Sequence, residues 1–276
     1  MRIHVLQVGY DDSETIDARR ARVAEMVRRQ EGADLIVLPE LWAPTGFSFR
    51  NWTDAAEPVE GPTVEAIREA ARDIGAYVHA GSIIEAARDE PGEDGRGLFN
   101  TSVLLAPNGD VLATYRKIHR FGFGVGEPKL LDAGTQVVTV GLRDGASQVT
   151  AGLATCYDLR FPELFRALLG AGTQLLLVPA AWPSPRVAHW SLLGRARALE
   201  NQCVLVAVNT AGTHGGTQMG GRSQVVGPMG DVIAEAGEAE EVLVVDVDLD
   251  EVAEAREKFP VLADRRLGRQ EAASLR

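Results

Sequence analysis

Two pairs of similar segments occur in the same order along this chain. Leu35–Trp42 (LIVLPELW) is matched by Leu175–Trp182 (LLLVPAAW), an apolar strand-like run that ends in Pro-x-x-Trp. Further on, Ser102–Ala113 (SVLLAPNGDVLA) is matched by Ser223–Ala234 (SQVVGPMGDVIA). A chain built from two similar halves would form two sheets that pack face to face, with the helices outside. Common turn chemistry explains the shared Pro-x-Gly-Asp element almost as well.

Apolar strand-like segments alternate with amphipathic helical segments, without a linker or low-complexity stretch between them. This alternation predicts an α/β fold. Strands are predicted at 3–8, 34–38, 76–84, 100–106, 111–116, 137–140, 148–155, 174–178, 203–208 and 242–247, and helices at 16–30, 62–74, 162–169, 188–201 and 251–258. Hairpins are predicted around Asn108-Gly109 and at 224–235, and Gly-rich loops at 121–126 and 210–221.

Length and charge limit the number of domains and the kinds of partner. We expect one domain over residues 1–276, with its core at about 1–258 and a polar tail at 259–276. The 39 acidic residues outnumber the 28 lysines and arginines, so the surface should repel nucleic-acid phosphates and anionic membranes. A small anionic substrate can still bind in a positive pocket. Because no apolar run reaches membrane-spanning length and a predicted strand starts the chain, we expect a soluble, cytoplasmic protein without a signal peptide.

Cys156 stands where a predicted strand gives way to a predicted helix. A thiol at such a turn faces backbone N–H groups, which lower its pKa and can bind an oxyanion. From this position alone, a buried structural cysteine is about equally compatible. Cys203 begins an apolar strand and is predicted to be core. The two cysteines form no CxxC pair, and the sequence contains no Gly-x-Ser-x-Gly motif that would indicate a serine nucleophile.

Several charged residues near predicted strand ends are candidates for chemistry. Glu40 follows an apolar strand, and its counterpart in the second copy of the repeat is Ala180, so the architecture does not require a carboxylate there. Lys117 ends a hairpin strand, and Glu127 follows the Gly-rich stretch. His119 has the chemistry of a general base, although a surface histidine is the commoner outcome. Taken singly, each of these residues is also explained as a solvated charge.

The combination of these residues resembles the nitrilase, or carbon–nitrogen hydrolase, superfamily. The resemblance is carried by Pro39-Glu40, by Tyr115-Arg-Lys-Ile-His119 and by Cys156-Tyr-Asp158, and it extends from the first strand to about Val247. It implies an αββα sandwich, in four layers, of two mixed sheets with a pseudo-two-fold internal duplication. It also implies a homodimer or higher homo-oligomer and a reaction that needs no metal or organic cofactor.

The resemblance also implies roles for individual residues. Cys156 would be the nucleophile, and Glu40 the general base that takes its proton. Lys117 would stabilise the oxyanion together with the backbone N–H of Tyr157. Glu127 matches a second glutamate of the family and would position Lys117 and the substrate amide.

The segment Cys156–Glu163 (CYDLRFPE) is similar to the Nit and omega-amidase branch, although carbamoylases share its Arg-x-Pro-Glu element. We therefore expect an amidase for a small carboxylate-bearing amide, with a nitrilase or an N-carbamoyl amino acid hydrolase as alternatives. A catalytically idle interaction protein is an alternative of another class. Arg160 could bind a substrate carboxylate or, equally, form an ion pair with Glu163 or Asp158. The predicted pocket walls are Phe121, Phe123 and Trp182.

Overall fold

A computed structural model of the protein describes residues 1–267. The strands are β1 (Arg2–Gln7), β2 (Gly9–Asp11), β3 (Leu35–Val37), β4 (Tyr77–Ala86), β5 (Leu98–Leu105), β6 (Val111–Arg116), β7 (Thr139–Asp144), β8 (Ser147–Leu153), β9 (Leu175–Pro179), β10 (Val204–Val208), β11 (Ala211–His214), β12 (Thr217–Gln218), β13 (Gln224–Val226), β14 (Val232–Glu235) and β15 (Glu241–Asp246). The helices are α1 (Ile16–Arg28), α2 (Pro62–Ile74), α3 (Glu127–Leu130), α4 (Pro162–Gly170), α5 (Val187–Asn201) and α6 (Asp250–Lys258). The predicted tail 259–276 contains a 3-10 turn at Val261–Asp264, and its part beyond residue 267 lies outside the described residues.

Two six-stranded mixed sheets are built on the same plan. The first has the order β15-β1-β3-β4-β5-β6 and the second, read in the matching direction, β7-β8-β9-β10-β13-β14. In each sheet three parallel strands are flanked by an antiparallel hairpin on one side and a single antiparallel strand on the other. In this plan β9 corresponds to β3, and the hairpin β13–β14 corresponds to β5–β6. These are the segments that carry the sequence repeat, so the predicted internal duplication is confirmed.

Alternation of side chains along the strands produces the layers. In β3, Leu35 and Val37 belong to the apolar cluster that also contains Leu177 of β9 and joins the two sheets. Ile36, between them, faces the other way and belongs to the cluster that includes Val27 of α1 and the buried face of α2. The helices α4 and α5 contact each other, and α5 packs on β10 and β13 of the second sheet. The predicted αββα sandwich of two mixed sheets is therefore confirmed.

The Gly-rich segment 210–221 differs from the loop that was predicted. It forms β11 and β12, and β11 pairs in parallel with the unpredicted strand β2 to give a third, three-stranded sheet. Gly212 explains the difference, because its φ is +89° and a Cβ there would lie 2.0 Å from the carbonyl oxygen of Tyr10. Glycine is needed at this position for close strand approach and not for a loop. Within residues 1–267, no helix combines the length and apolarity needed to span a bilayer.

Candidate active site

The charged candidates converge at the ends of strands from both sheets. Glu40 follows β3, Lys117 directly follows β6, and Glu127 opens the short helix α3, directly after the predicted Gly-rich loop at 121–126. The Lys117 Nζ donates to Glu40 Oε1 at 2.7 Å and lies 3.0 Å from both carboxylate oxygens of Glu127. All three side chains are less than 5% exposed. Cys156 follows β8 and is buried beside them, so the fold brings together the four residues for which the resemblance implied a catalytic or supporting role.

Asn100, which the sequence did not single out, completes the buried charge cluster. Its Nδ2 donates to Glu40 Oε1 at 2.8 Å and to Glu127 Oε1 at 2.6 Å. The pairing of β5 with β6 brings Asn100 beside Lys117, whose backbone N–H donates to the Asn100 carbonyl at 2.8 Å. One amide therefore holds the two carboxylates in a common geometry. Only the strand pairing reveals this contact.

The electrostatics of the cluster keep Lys117 charged. Burial opposes its positive charge, but attraction to Glu127 and Glu40 prevails, and the pKa of Lys117 lies well above its usual value. Burial also raises the pKa of Glu127, against the opposing effect of Lys117. An ammonium that stays protonated and buried is suited to stabilise negative charge that develops on a bound substrate.

The second copy of the repeat supplies backbone support for Glu40. Glu40 Oε2 accepts a hydrogen bond from the backbone N–H of Ala181 at 2.8 Å, and the Glu40 N–H donates to the Ala180 carbonyl at 3.3 Å. The Cys156 Sγ lies 3.9 Å from the carbonyl oxygen of Ala181. The end of β3 and the end of β9, which are equivalent in the duplicated plan, therefore meet at the nucleophile candidate.

The pKa of the Cys156 thiol is raised in the structure, whereas the sequence led us to expect a lowered pKa. Burial, followed by the negative charge of Glu40, raises the pKa of Cys156 well above its usual value, although Lys117 acts to lower it. The predicted lowering by backbone N–H groups is therefore wrong for the free enzyme, because the thiol is buried and faces carboxylates. A neutral thiol needs a base during attack, and the carboxylates of Glu40 and Glu127 are the nearby groups with that chemistry. Cys156 also has a φ of +48°, which turns the chain sharply after β8.

Asp158 is a second residue that the sequence analysis did not assign to the site itself. Its buried carboxylate accepts from the Tyr115 hydroxyl at 2.7 Å and from the Thr155 N–H at 2.8 Å. It also contacts His119 Nδ1 at 2.7 Å, and the imidazole ring stacks on Phe161 with 3.8 Å between centroids. The sequence predicted a surface or loop histidine, and His119 does lie in a loop with 27% of its side chain exposed, while one face of its ring takes part in this packing.

A solvent-open cavity lies beside Cys156, with about 240 Å³ of free space when its open mouth is included. Its lining consists of Phe47, Phe121, Cys156, Tyr157, Arg160, Ala181, Trp182, Pro183 and Arg186. Phe123 was predicted to wall this pocket, but it is not among the residues that line it in the structure. Its side chain is 81% exposed, because the glycines on either side turn the loop outward. Phe47 belongs to the segment 45–49, which follows Glu40 and was expected to line the pocket, whereas Arg186 is a lining residue that sequence reasoning missed.

Arg160 lines the cavity without an acidic partner among the described residues. Its guanidinium lies 4.7 Å from the centroid of the Trp182 ring, and Nη2 lies 3.4 Å from His189 Nδ1. The alternative of an ion pair with Asp158 is wrong, because that carboxylate is directed at other donors, and none forms with Glu163 in residues 1–267. Within the same range, no group of three histidine, cysteine or acidic side chains could hold a metal ion.

Comparisons with known proteins identify the family of this chain. The Carbon-nitrogen hydrolase family matches residues 3–257, so the chain belongs to this family and is a hydrolase of carbon–nitrogen bonds. It is 44% identical to a 2-oxoglutaramate amidase of Paenarthrobacter nicotinovorans, over 96% of this chain and 89% of that protein. It is 33% identical to the omega-amidase NIT2 of Danio rerio, over 96% and 94% of the two chains. The crystal structure of XC1258 from Xanthomonas campestris, a CN-hydrolase superfamily protein with an arsenic adduct in its active site, matches with a TM-score of 0.85 and 31% identity, over 96% of this chain and 97% of that one.

Proposed function

We propose that this protein is a thiol amidohydrolase that releases ammonia from a small carboxylate-bearing amide, as an omega-amidase does. The observation that carries the proposal is the contact of Lys117 with both Glu40 and Glu127, next to Cys156 at the end of the cavity. The names of the 2-oxoglutaramate amidase and omega-amidase relatives support the choice of an amide over a nitrile or a carbamoyl group.

In the first half of the proposed reaction, Cys156 Sγ attacks the amide carbon while Glu40 takes the thiol proton. The oxyanion forms beside the Lys117 ammonium and the backbone N–H of Tyr157. Glu40 then transfers its proton to the amide nitrogen, the carbon–nitrogen bond breaks, and ammonia leaves a thioester on Cys156. Glu127 holds Lys117 and the substrate amide in position throughout.

In the second half, Glu40 takes a proton from water, and the resulting hydroxide attacks the thioester carbon. The tetrahedral intermediate collapses, the carbon–sulfur bond breaks, and the Cys156 sulfur regains the proton held by Glu40. The product is a carboxylic acid. The chain's own residues supply every proton transfer, so the proposed cycle uses neither a metal nor an organic cofactor.

Arg160 is proposed to bind the carboxylate at the far end of the substrate. Its guanidinium borders the cavity, and the flat Trp182 ring supports it from one side. A carboxylate accepts two parallel hydrogen bonds from a guanidinium, which fixes orientation as well as distance. Phe121 and Trp182 then form apolar walls for the short chain between the carboxylate and the amide.

The assembly and cellular setting are part of the same proposal. We propose one domain over 1–276 that forms a homodimer or a higher oligomer, supported by the exposed side chains of Leu192 and Leu199 on α5. A cytoplasmic location suits a Cys156 that must stay a reduced thiol. Sedimentation at several concentrations tests the oligomer, and a monomer throughout would contradict it.

A panel of carboxylate-bearing compounds tests the activity. Succinamate, 3-cyanopropanoate and N-carbamoylglycine keep a carboxylate but offer an amide, a nitrile and a carbamoyl group. We expect ammonia release from succinamate to be fastest, whereas nitrile turnover without amide turnover would reject the proposal. Cys156→Ala should abolish turnover and keep the thermal unfolding profile, while Cys203→Ala, remote from the cavity, should remain active. An active Cys156→Ala enzyme would exclude the thioester mechanism.

A further inference from the structure

A second guanidinium, that of Arg186, borders the same cavity as Arg160. We infer that Arg186 is a specificity-determining residue, which acts with Arg160 to select amides with an anionic far end and to disfavour amides that carry an α-ammonium group. The inference rests on the proposed amidase function and deepens it, because it assigns substrate selection to a particular side chain.

The backbone around Arg186 is held rigidly relative to the cavity. Its carbonyl accepts a hydrogen bond from Trp182 Nε1 at 2.8 Å, and its N–H donates to the Pro183 carbonyl at 3.1 Å. Pro185 precedes it and restricts the chain further. The same Trp182 ring that supports the Arg160 guanidinium therefore also fixes the backbone position of Arg186.

The side chain of Arg186 extends toward the aromatic wall. Its guanidinium carbon lies 5.7 Å from the centroid of the Phe121 ring, within the range of a cation–π contact. Trp182 and Phe121 both line the cavity, so each of the two guanidinium groups lies near an aromatic wall of one pocket. Preorganised donors of this kind bind an anion with little loss of side-chain entropy.

The positive charges of Arg160 and Arg186 are not neutralised by acidic side chains of the described residues around the cavity. Within residues 1–267, neither Arg160 nor Arg186 forms an ion pair with an acidic side chain, although the chain has 39 acidic residues. None of the side chains that line the cavity is a carboxylate. Glu40 and Glu127 are committed to Lys117 and Asn100 at the reaction end. An anionic group in the cavity would gain favourable interactions, whereas an ammonium group would meet like charges without an acceptor.

Three four-carbon amides test this selection with matched shapes. Butyramide ends in a methyl group, succinamate has a carboxylate in its place, and asparagine adds an α-ammonium to succinamate. We expect Arg186→Ala to lower kcat/KM for succinamate by about tenfold or more, mainly through KM, since the variant loses a charged hydrogen-bond donor to the substrate carboxylate. The kcat/KM for butyramide should change less than about twofold. The ratio of kcat/KM for succinamate to that for asparagine should become smaller.

Two further variants separate charge from structure. Arg186→Lys keeps the charge and should restore part of the succinamate preference. Arg143→Ala removes an exposed arginine of β7 that does not line the cavity, and it should leave all three substrates unchanged. The inference is overturned if Arg186→Ala leaves kcat/KM unchanged for all three amides, or lowers it equally for all three. Absence of turnover with every amide in the unmodified enzyme would instead reject the proposed function itself.

Discussion

The hydroxyl of Tyr115 donates a 2.7 Å hydrogen bond to the buried carboxylate of Asp158. Tyr115 lies two residues before Lys117 at the end of β6, and Asp158 lies two residues after Cys156 in the turn that follows β8. Because β6 and β8 belong to different sheets, this bond connects the segment that carries the cation to the segment that carries the thiol. The relative position of Lys117 and Cys156 therefore depends on a contact between two residues outside the reacting set.

Replacing Asp158 with asparagine should cost both stability and activity. The amide has one acceptor oxygen, so some of the donors from Tyr115, Thr155 and His119 would be left unpaired in a buried site. We expect a loss of at least about 2 kcal/mol in the free energy of unfolding, measured with urea, and a lower kcat. Tyr115→Phe removes a single hydrogen bond and should cost only about 1 kcal/mol. Equal stability of the two variants would contradict this interpretation.

Glu40→Gln should lower the pKa of the Cys156 thiol while it also lowers activity. Burial is the main cause of the raised thiol pKa, and the negative charge of Glu40 is the next. Glutamine keeps the burial and removes the charge, so thiolate absorbance should appear at lower pH than in the unmodified enzyme. Loss of the general base should reduce kcat by at least about a hundredfold. The thiolate signal is identified by subtracting the spectrum of Cys156→Ala, and an unchanged kcat would exclude Glu40 as the base.

Lys117→Met should destabilise the protein in a pH-dependent manner. Without the cation, the pKa of Glu127 should rise further above its ordinary value of 4.5, because burial already raises it and Lys117 now lowers it. A carboxyl group whose folded pKa is raised costs stability when the pH exceeds its unfolded pKa. The loss in the free energy of unfolding caused by Lys117→Met should therefore be small near pH 4.5 and reach about 3–5 kcal/mol at pH 8.

Urea unfolding at the two pH values measures the effect of Lys117→Met. The exposed Lys129 of α3 offers a matched control, since Lys129→Met removes the same charge outside the buried cluster. That control should show little pH dependence. If Lys117→Met loses as much free energy of unfolding at low pH as at high pH, the cause would be lost packing and not the unpaired carboxylates.

Two phenylalanines of the Gly-rich loop should respond differently to truncation. Phe121 lines the cavity and contacts the Tyr157 ring with 5.3 Å between centroids, whereas Phe123 is mostly exposed. Phe121→Ala should lower kcat/KM for succinamate by about tenfold, because one wall of the pocket is lost. Phe123→Ala should change stability by less than about 0.5 kcal/mol and leave the kinetics unaltered. A larger kinetic effect at Phe123 would show that the loop closes over the bound substrate.

Much of the fold could be predicted because its determinants are local. Apolar periodicity predicted the central strands and the five helices α1, α2, α4, α5 and α6, and the Asn108-Gly109 turn predicted the β5–β6 hairpin, all of which the structure contains. The glycines of 210–221 misled the prediction, since close strand pairing and an irregular loop both favour glycine. The direction of Phe123 was equally undetermined, because glycines on either side allow the loop to turn either way.

The sequence by itself determined the order of the main strands and helices and the places of Glu40, Lys117 and Cys156 near strand ends, because turn chemistry and side-chain periodicity act over a few residues. The tertiary structure alone decided what surrounds those residues. Glu40 and Lys117 are 77 positions apart yet form a 2.7 Å contact, and Asn100 and Arg186 join the site through strand pairing and chain packing. The raised pKa of Cys156 has the same origin, since burial and the distance between charges are properties of the folded chain.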